Sequence, residues 1–266
     1  MKISILCEDS VKHATGSSPL KNCLAEHGFS VFVENFDTSG IKILYDLGHT
    51  DLYWRNAKVM GIDLGDADFI ALSHYHWDHT GGLQRHEFPS KKKLILHPEI
   101  LKKIPSGEAE KIEKDFEVIA SAGVAEFAPG AYFLGEIPRV TAFEKGAYGS
   151  DPMIDDSAIA IKTPHGVVVI AGCSHSGICN ICEYAKKATG LPLYAVIGGF
   201  HLMGGGAGNA GALNGDAEIL NGTIDYFKNE NPKFIYPMHC VDYSALAKFH
   251  EIFGIQKLSV GDIIEL

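Results

Sequence analysis

The chain of 266 residues is 46% hydrophobic and 21% charged, with a mean hydropathy near zero, which supplies a large core and excludes disorder, coiled coil and collagen. Thirty-three acidic against 23 basic residues give a net charge of −10, which repels a phosphate backbone and argues against a dedicated nucleic-acid binder. The longest apolar runs, Val167 to Gly172 and Leu191 to Gly199, are strand-length and fall short of the roughly 18 residues needed to span a bilayer.

In chain order, strand-like blocks at Lys2 to Cys7, Phe29 to Phe36 and Ile41 to Asp46 come first, the last two joined by the turn signal Asp37-Thr38-Ser39-Gly40 into a hairpin. No signal-peptide pattern precedes the first strand, and six scattered cysteines do not make a disulfide framework, so a cytoplasmic location is expected. Leu52 to Met60 has helical spacing and stops at Gly61, and Ala67 to Leu72 is a short buried strand running into the polar segment Ser73 to Gly82. From about 85 to 156 the pattern is less regular, with a Lys91-Lys92-Lys93 run, a charged helix near Gly107 to Phe116 and short strand candidates at Leu94 to His97 and around Val118, Tyr132 and Val140; an insertion or lid is expected there. Strands then fit Ala158 to Lys162, Gly166 to Gly172, Leu193 to Gly198, Lys233 to Tyr236 and Ile263 to Leu266, with helices over 178 to 188, 213 to 228 and 243 to 252. This order predicts one α+β domain over 1–266, built from two packed sheets flanked by helices rather than a parallel βαβ sheet.

Four apolar strands each end in a histidine: His74, His175, His201 and His239. Strand ends on one edge of a sandwich converge in space, so the pattern points to a metal site. The densest cluster, His74-Tyr75-His76-Trp77-Asp78-His79, holds more donors than one ion can use. His74 and His76 lie on one side of an extended loop and can share a first ion, while Asp78 and His79 turn toward a second. Cys179-Asn180-Ile181-Cys182 falls on a predicted helix without a second pair and reads as core rather than as a redox or zinc motif. Lys91 to Lys93 read as a solvated turn, with steering of an anionic substrate as the alternative.

The segment Ser73 to Leu83, with the upstream Tyr45-Asp46-Leu47-Gly48, resembles the signature of the metallo-β-lactamase-fold hydrolases. Glu26 to Ser30, Gly172 to Ile178, Gly198 to Leu202 and Pro237 to Cys240 resemble one branch of it, the proteins similar to 7,8-dihydropterin-6-methyl-4-(β-D-ribofuranosyl)-aminobenzene-5′-phosphate synthase. The resemblance implies a four-layer αββα sandwich with two divalent ions at one edge, zinc first and manganese or iron as alternatives. It matches His74 and His76 to the first ion, Asp78, His79 and His239 to the second, and Asp46 to a residue supporting the ligands. The middle motif departs from the wider pattern: no histidine turn precedes the strand ending at Gly172, where only Asp155 and Asp156 stand. His175, two residues past Cys173 on an extended segment, is expected to supply the third ligand of the first ion, with Cys173 near a bridging position.

Two such ions lower the pKa of a bridging water and supply hydroxide for attack, so the expected function is a metal-dependent hydrolase acting on a small, anionic substrate such as a phosphoester, ester or lactone. Asp78 would position the nucleophile. For His201 three roles stay open: assisting the leaving group or an anionic substrate, touching a metal, or packing at the strand end. The Gly-rich run Met203 to Asn209 offers backbone amides to an anion or is a plain turn. The alternatives are a pterin-related condensation like that of the resembling synthase branch, and a non-catalytic metal-binding sensor. Diiron flavoproteins are set aside, because they carry a carboxylate where His76 stands and an added flavodoxin domain.

Overall fold

A computed structural model describes residues 1–37, 39–203 and 213–266. Its first half is a seven-stranded sheet in the order β13-β1-β2-β3-β4-β5-β6, formed by β1 (Lys2–Cys7), β2 (Ser30–Glu34), β3 (Ile43–Tyr45), β4 (Phe69–Ala71), β5 (Lys92–Leu96), β6 (Phe116–Ala120) and, from the other end of the chain, β13 (Ile263–Glu265). The second is a six-stranded sheet, β12-β11-β10-β9-β8-β7, from β7 (Ala125–Ala128), β8 (Ala131–Phe133), β9 (Ala158–Thr163), β10 (Gly166–Ala171), β11 (Leu193–Gly199) and β12 (Phe234–Met238). Both sheets are mixed. β3 through β6 run parallel, as do β10 through β12, so each half contains the parallel crossovers that the sequence reading assigned to neither.

Alternation along the strands decides the layers. Val168 and Ile170 of β10 share one buried cluster with Ile5, Val31 and Tyr45 of the opposite sheet, while Val167, Val169 and Ala171 belong to the cluster on the helix side. On that outer face pack α5 (Ile178–Thr189), α6 (Leu213–Glu230) and α7 (Tyr243–Phe253). The first sheet's outer face, with Phe32, Leu44 and Ile70, is covered by α1 (Leu52–Met60), α3 (Pro98–Lys103) and α4 (Ser106–Asp115). α2 (Trp77–Thr80) is a single turn at the sheet edge. The result is the expected αββα sandwich. α1 ends at Gly61, which adopts φ 73 as a left-handed cap, matching the stop signal in the sequence.

The stretch 85–156, expected as an insertion or lid, differs from that reading. It carries β5 to β8, paired into both sheets, and only residues beyond β8 form a long irregular segment. Its strands are three to five residues long with interrupted burial, too short to show a period before they are paired. Val140, expected near a strand, is exposed and irregular. The Lys91 to Lys93 run leads into the start of β5, at the opposite end from His97, and Lys92 Nζ donates to the Gly65 carbonyl while Lys93 lies over the Phe69 ring. Its charge is therefore not placed to steer ligands to the histidine cluster. No described helix is long and apolar enough to cross a membrane.

Candidate metal centre

The histidine-bearing segments follow the carboxyl ends of β4, β10, β11 and β12, the edge at which crossover sheets present polar groups. Gly172 lets the two sheets close there, because a Cβ at that position would stand 2.2 Å from Ser73 Oγ. Asp46, fully buried just past β3, accepts from Ser73 N at 2.8 Å and Ser73 Oγ at 2.7 Å, and its Oδ2 lies 2.8 Å from His79 Nδ1.

These bonds assign the ring tautomers. Ser73 Oγ spends its proton on Asp46, so the 2.8 Å contact with His74 Nδ1 requires that nitrogen to donate and leaves His74 Nε2 with a lone pair. His74 Nε2 points at His76 Nδ1 at 3.0 Å, and His175 Nε2 reaches the same nitrogen at 3.1 Å. Burial and the neighbouring imidazoles hold His74 and His175 well below the usual histidine pKa, so both are neutral donors.

A second group lies beside the first. His79 Nδ1 donates to Asp46, which turns His79 Nε2 toward Cys173 Sγ at 3.1 Å and Asp78 Oδ2 at 3.4 Å. His239 Nδ1 contacts Asp9 Oδ1 at 3.3 Å, and its Nε2 lies 3.1 Å from Asp78 Oδ2. Burial lowers the pKa of both imidazoles, but the carboxylates outweigh it: His79 is raised to about 9 by Asp46 and Asp78, and His239 is raised by Asp78 and Asp9. Asp78 is held well below the usual carboxylate range by His239 and His79, against the opposing effect of burial.

Tetrahedral coordination places donor atoms roughly 3.3–3.8 Å apart, and the spacings of 3.0–3.1 Å in the two groups fall a few tenths of an ångström short of it, a gap that small side-chain movements close. Cys173 belongs to the Asp78–His79–His239 set and also to a set with His74 and His175, so the thiol stands between the two groups. The expected six residues His74, His76, Asp78, His79, His175 and His239 are thus brought together in two neighbouring groups. His201 lies against His175, ring centroids 4.3 Å apart, in a set with Cys173 and Cys240.

Asp155 and Asp156 hold loops rather than joining these groups. Asp155 Oδ2 accepts from Tyr75 N at 2.9 Å, and Asp156 Oδ2 accepts from Ser176 N at 2.8 Å, which fixes the loops carrying His76 and His175. Cys179 and Cys182 are buried in the core on α5 as free thiols. Residues 204 to 209 of the Gly-rich run lie outside the described residues.

Two site residues were missed in the sequence. His27 contacts Asp9 Oδ1 at 3.0 Å and stands 3.5 Å from Asp78 Oδ2, so Asp9 links His27 to His239 at the cavity mouth. The Glu26-His27-Gly28 segment carried a family resemblance but no spacing that ties a lone histidine to a partner; Asp9 carried no signal. The donor groups open into a cavity of about 310 Å³, with half-exposed Trp77 and Tyr148 at its rim.

The metallo-beta-lactamase superfamily model matches residues 25–184. The 7,8-dihydropterin-6-methyl-4-(beta-D-ribofuranosyl)-aminobenzene-5′-phosphate synthase of Methanocaldococcus jannaschii is 31% identical over 100% of this chain and 96% of its own length. A solved metal-dependent hydrolase of the beta-lactamase superfamily superposes with a TM-score of 0.79 at 25% identity, covering 100% of this chain and 99% of its own. Zn(2+)-bound PqqB from Methylobacterium extorquens shares the fold, with a TM-score of 0.61 at 15% identity and full coverage of both chains. The strand-end donor groups, the matched model and the full-length relative lead to one conclusion: this chain belongs to the metallo-beta-lactamase superfamily.

Proposed function

We propose that this protein is a metal-dependent hydrolase whose centre holds two divalent cations, zinc first among them, and acts on a small anionic ester, lactone or phosphoester. The observation that carries the reading is the pair of donor groups, His74–His76–His175 and Asp78–His79–His239, joined at Cys173 and opening into one cavity. Two cations held there would activate water for attack and stabilise negative charge as it develops. Asp46 and Asp9 fix the Nδ1 protons of His79 and His239 and turn both Nε2 atoms inward. Asp78 offers a carboxylate oxygen to orient the attacking water. His27, half-exposed at the mouth and polarised by Asp9, is placed to pass a proton between the cavity and solvent.

A second reading, a condensation like that of the synthase relative, is favoured by identity spread over the whole chain rather than confined to the donor motifs. The test is the zinc- or manganese-loaded protein assayed on phosphomonoesters, phosphodiesters, lactones and thioesters. Turnover of at least one class, abolished in His76→Ala and Asp78→Asn, is the expected result. Inactivity toward all of them with both cations bound would contradict the hydrolase and favour the condensation or a binding role.

A further inference from the structure

We propose that Cys173, His201 and Cys240 form an additional cation site, for a thiophilic divalent ion of the zinc class, beside the two-cation centre. It goes beyond the hydrolase reading and rests on it only through Cys173, which both would use.

The three donors come from three neighbouring strands. β10, β11 and β12 are parallel, with Ala171 opposite Gly198 and Gly199 opposite Met238, so the three strand ends lie within one residue of a common level. Each donor stands two residues past its strand's last residue: Cys173 after Ala171, His201 after Gly199, Cys240 after Met238. Their ligand atoms lie within 4.8 Å of one another, with both cysteines buried and His201 partly buried. Cys240 Sγ reaches the Cys173 carbonyl at 3.4 Å by crossing over Gly199, where a Cβ would stand 2.7 Å from the sulfur.

The backbone around these donors is held in an unusual conformation. His201, Cys240 and Ser174 have φ of 50, 54 and 61, left-handed values that non-glycine residues rarely adopt and that persist where the surroundings over-determine them, as at ligand sites. His201 Nδ1 is buried without a hydrogen-bond partner among the described residues. Both features are expected of side chains placed for a ligand rather than for packing.

A disulfide is the competing use of the two thiols. Both thiols are free, and His201 stands within 4.8 Å of each, a third donor that a disulfide would leave unused. An ion of the zinc class takes all three groups at once. Two thiolates with one imidazole select zinc-class ions over magnesium, calcium or manganese. All three residues line the same cavity as His76 and Asp78, so a fourth coordination position would face ligand.

The test is cadmium loading of the full chain, read as equivalents bound and as thiolate-to-cadmium absorption, in the wild type, Cys240→Ser and His201→Ala. The wild type is expected to bind about one equivalent more than either variant, and Cys240→Ser to lose a large part of the absorption. Cadmium should also protect Cys240 from alkylation in the wild type but not in His201→Ala, with the core thiols Cys179 and Cys182 as internal controls. Equal equivalents in all three proteins, or equal labelling of Cys240 with and without cadmium, would overturn the site. Failure of the two-cation reading would look different: a Cys240-dependent equivalent would still bind while removing His76 or His175 cost none.

Discussion

Asp46 shows how one buried carboxylate organises several donors, since it accepts from Ser73 twice and fixes His79 through Nδ1. In Asp46→Ala the His79 ring loses the bond that sets its tautomer, and zinc affinity at the Asp78–His79–His239 group is expected to fall roughly 10–100-fold in competitive titration; unchanged affinity would contradict the assignment. The same group sets a pH dependence. His79, raised to about 9, and His239, also raised, hold protons near neutrality that a cation must displace. Affinity is therefore expected to climb as pH rises from about 6.5 to 8.5, and a flat profile in zinc titrations would show that these nitrogens are not ligands. At this scale the sequence was informative wherever donors cluster on one loop. His74, His76, Asp78 and His79 were legible for that reason, while Asp9 and His27 meet across 18 positions of chain and left no local pattern.

The elements were legible in proportion to their length and their end signals. α1 was read to the residue because a helical stripe meets a Gly stop, and β10 to within one residue because six buried residues cannot be mistaken for a loop. Of β5 to β8, three were read as short strand candidates, at Leu94 to His97 and around Val118 and Tyr132, while β7 was missed; their place in the two sheets was hidden because their partners lie far away in sequence or their burial is broken. The start of α5 illustrates a long-range element boundary. Glu144, buried in the irregular segment after β8, accepts from Cys179 N at 3.1 Å and Asn180 N at 2.9 Å, the open amides of a helix whose own cap is Gly177. Glu144→Ala leaves those amides buried without an acceptor. A loss of about 1–3 kcal/mol is expected, read as a lower denaturation midpoint at constant slope; an unchanged midpoint would mean that the helix start is held by other contacts.

Across the whole molecule, two sheets share one interior and the last strand pairs with the first, Lys2 opposite Glu265, so the chain's ends are tied into the same sheet. The donor groups are drawn from both halves: β4 belongs to one sheet, β10 to β12 to the other. Cation binding there would fasten one sheet to the other and stabilise the folded state alone. With zinc at about 100 times its dissociation constant, one site adds about 2.7 kcal/mol, and the melting temperature should rise roughly 5–10 °C. That rise should vanish in the His76→Ala, Asp78→Asn double variant; a rise that survives it would place the stabilising ion elsewhere. The fold class was legible as two packed sheets, and the candidate site as strand-end histidines. The parallel pairing inside each sheet was not, since fully buried strands do not display the direction of their neighbours.

The most direct test is anomalous diffraction at the zinc edge from crystals of the zinc-loaded protein. The account predicts one peak among His74 Nε2, His76 Nδ1 and His175 Nε2, and a second among Asp78 Oδ2, His79 Nε2 and His239 Nε2. Zinc bound only elsewhere, with no peak at either group, would contradict it.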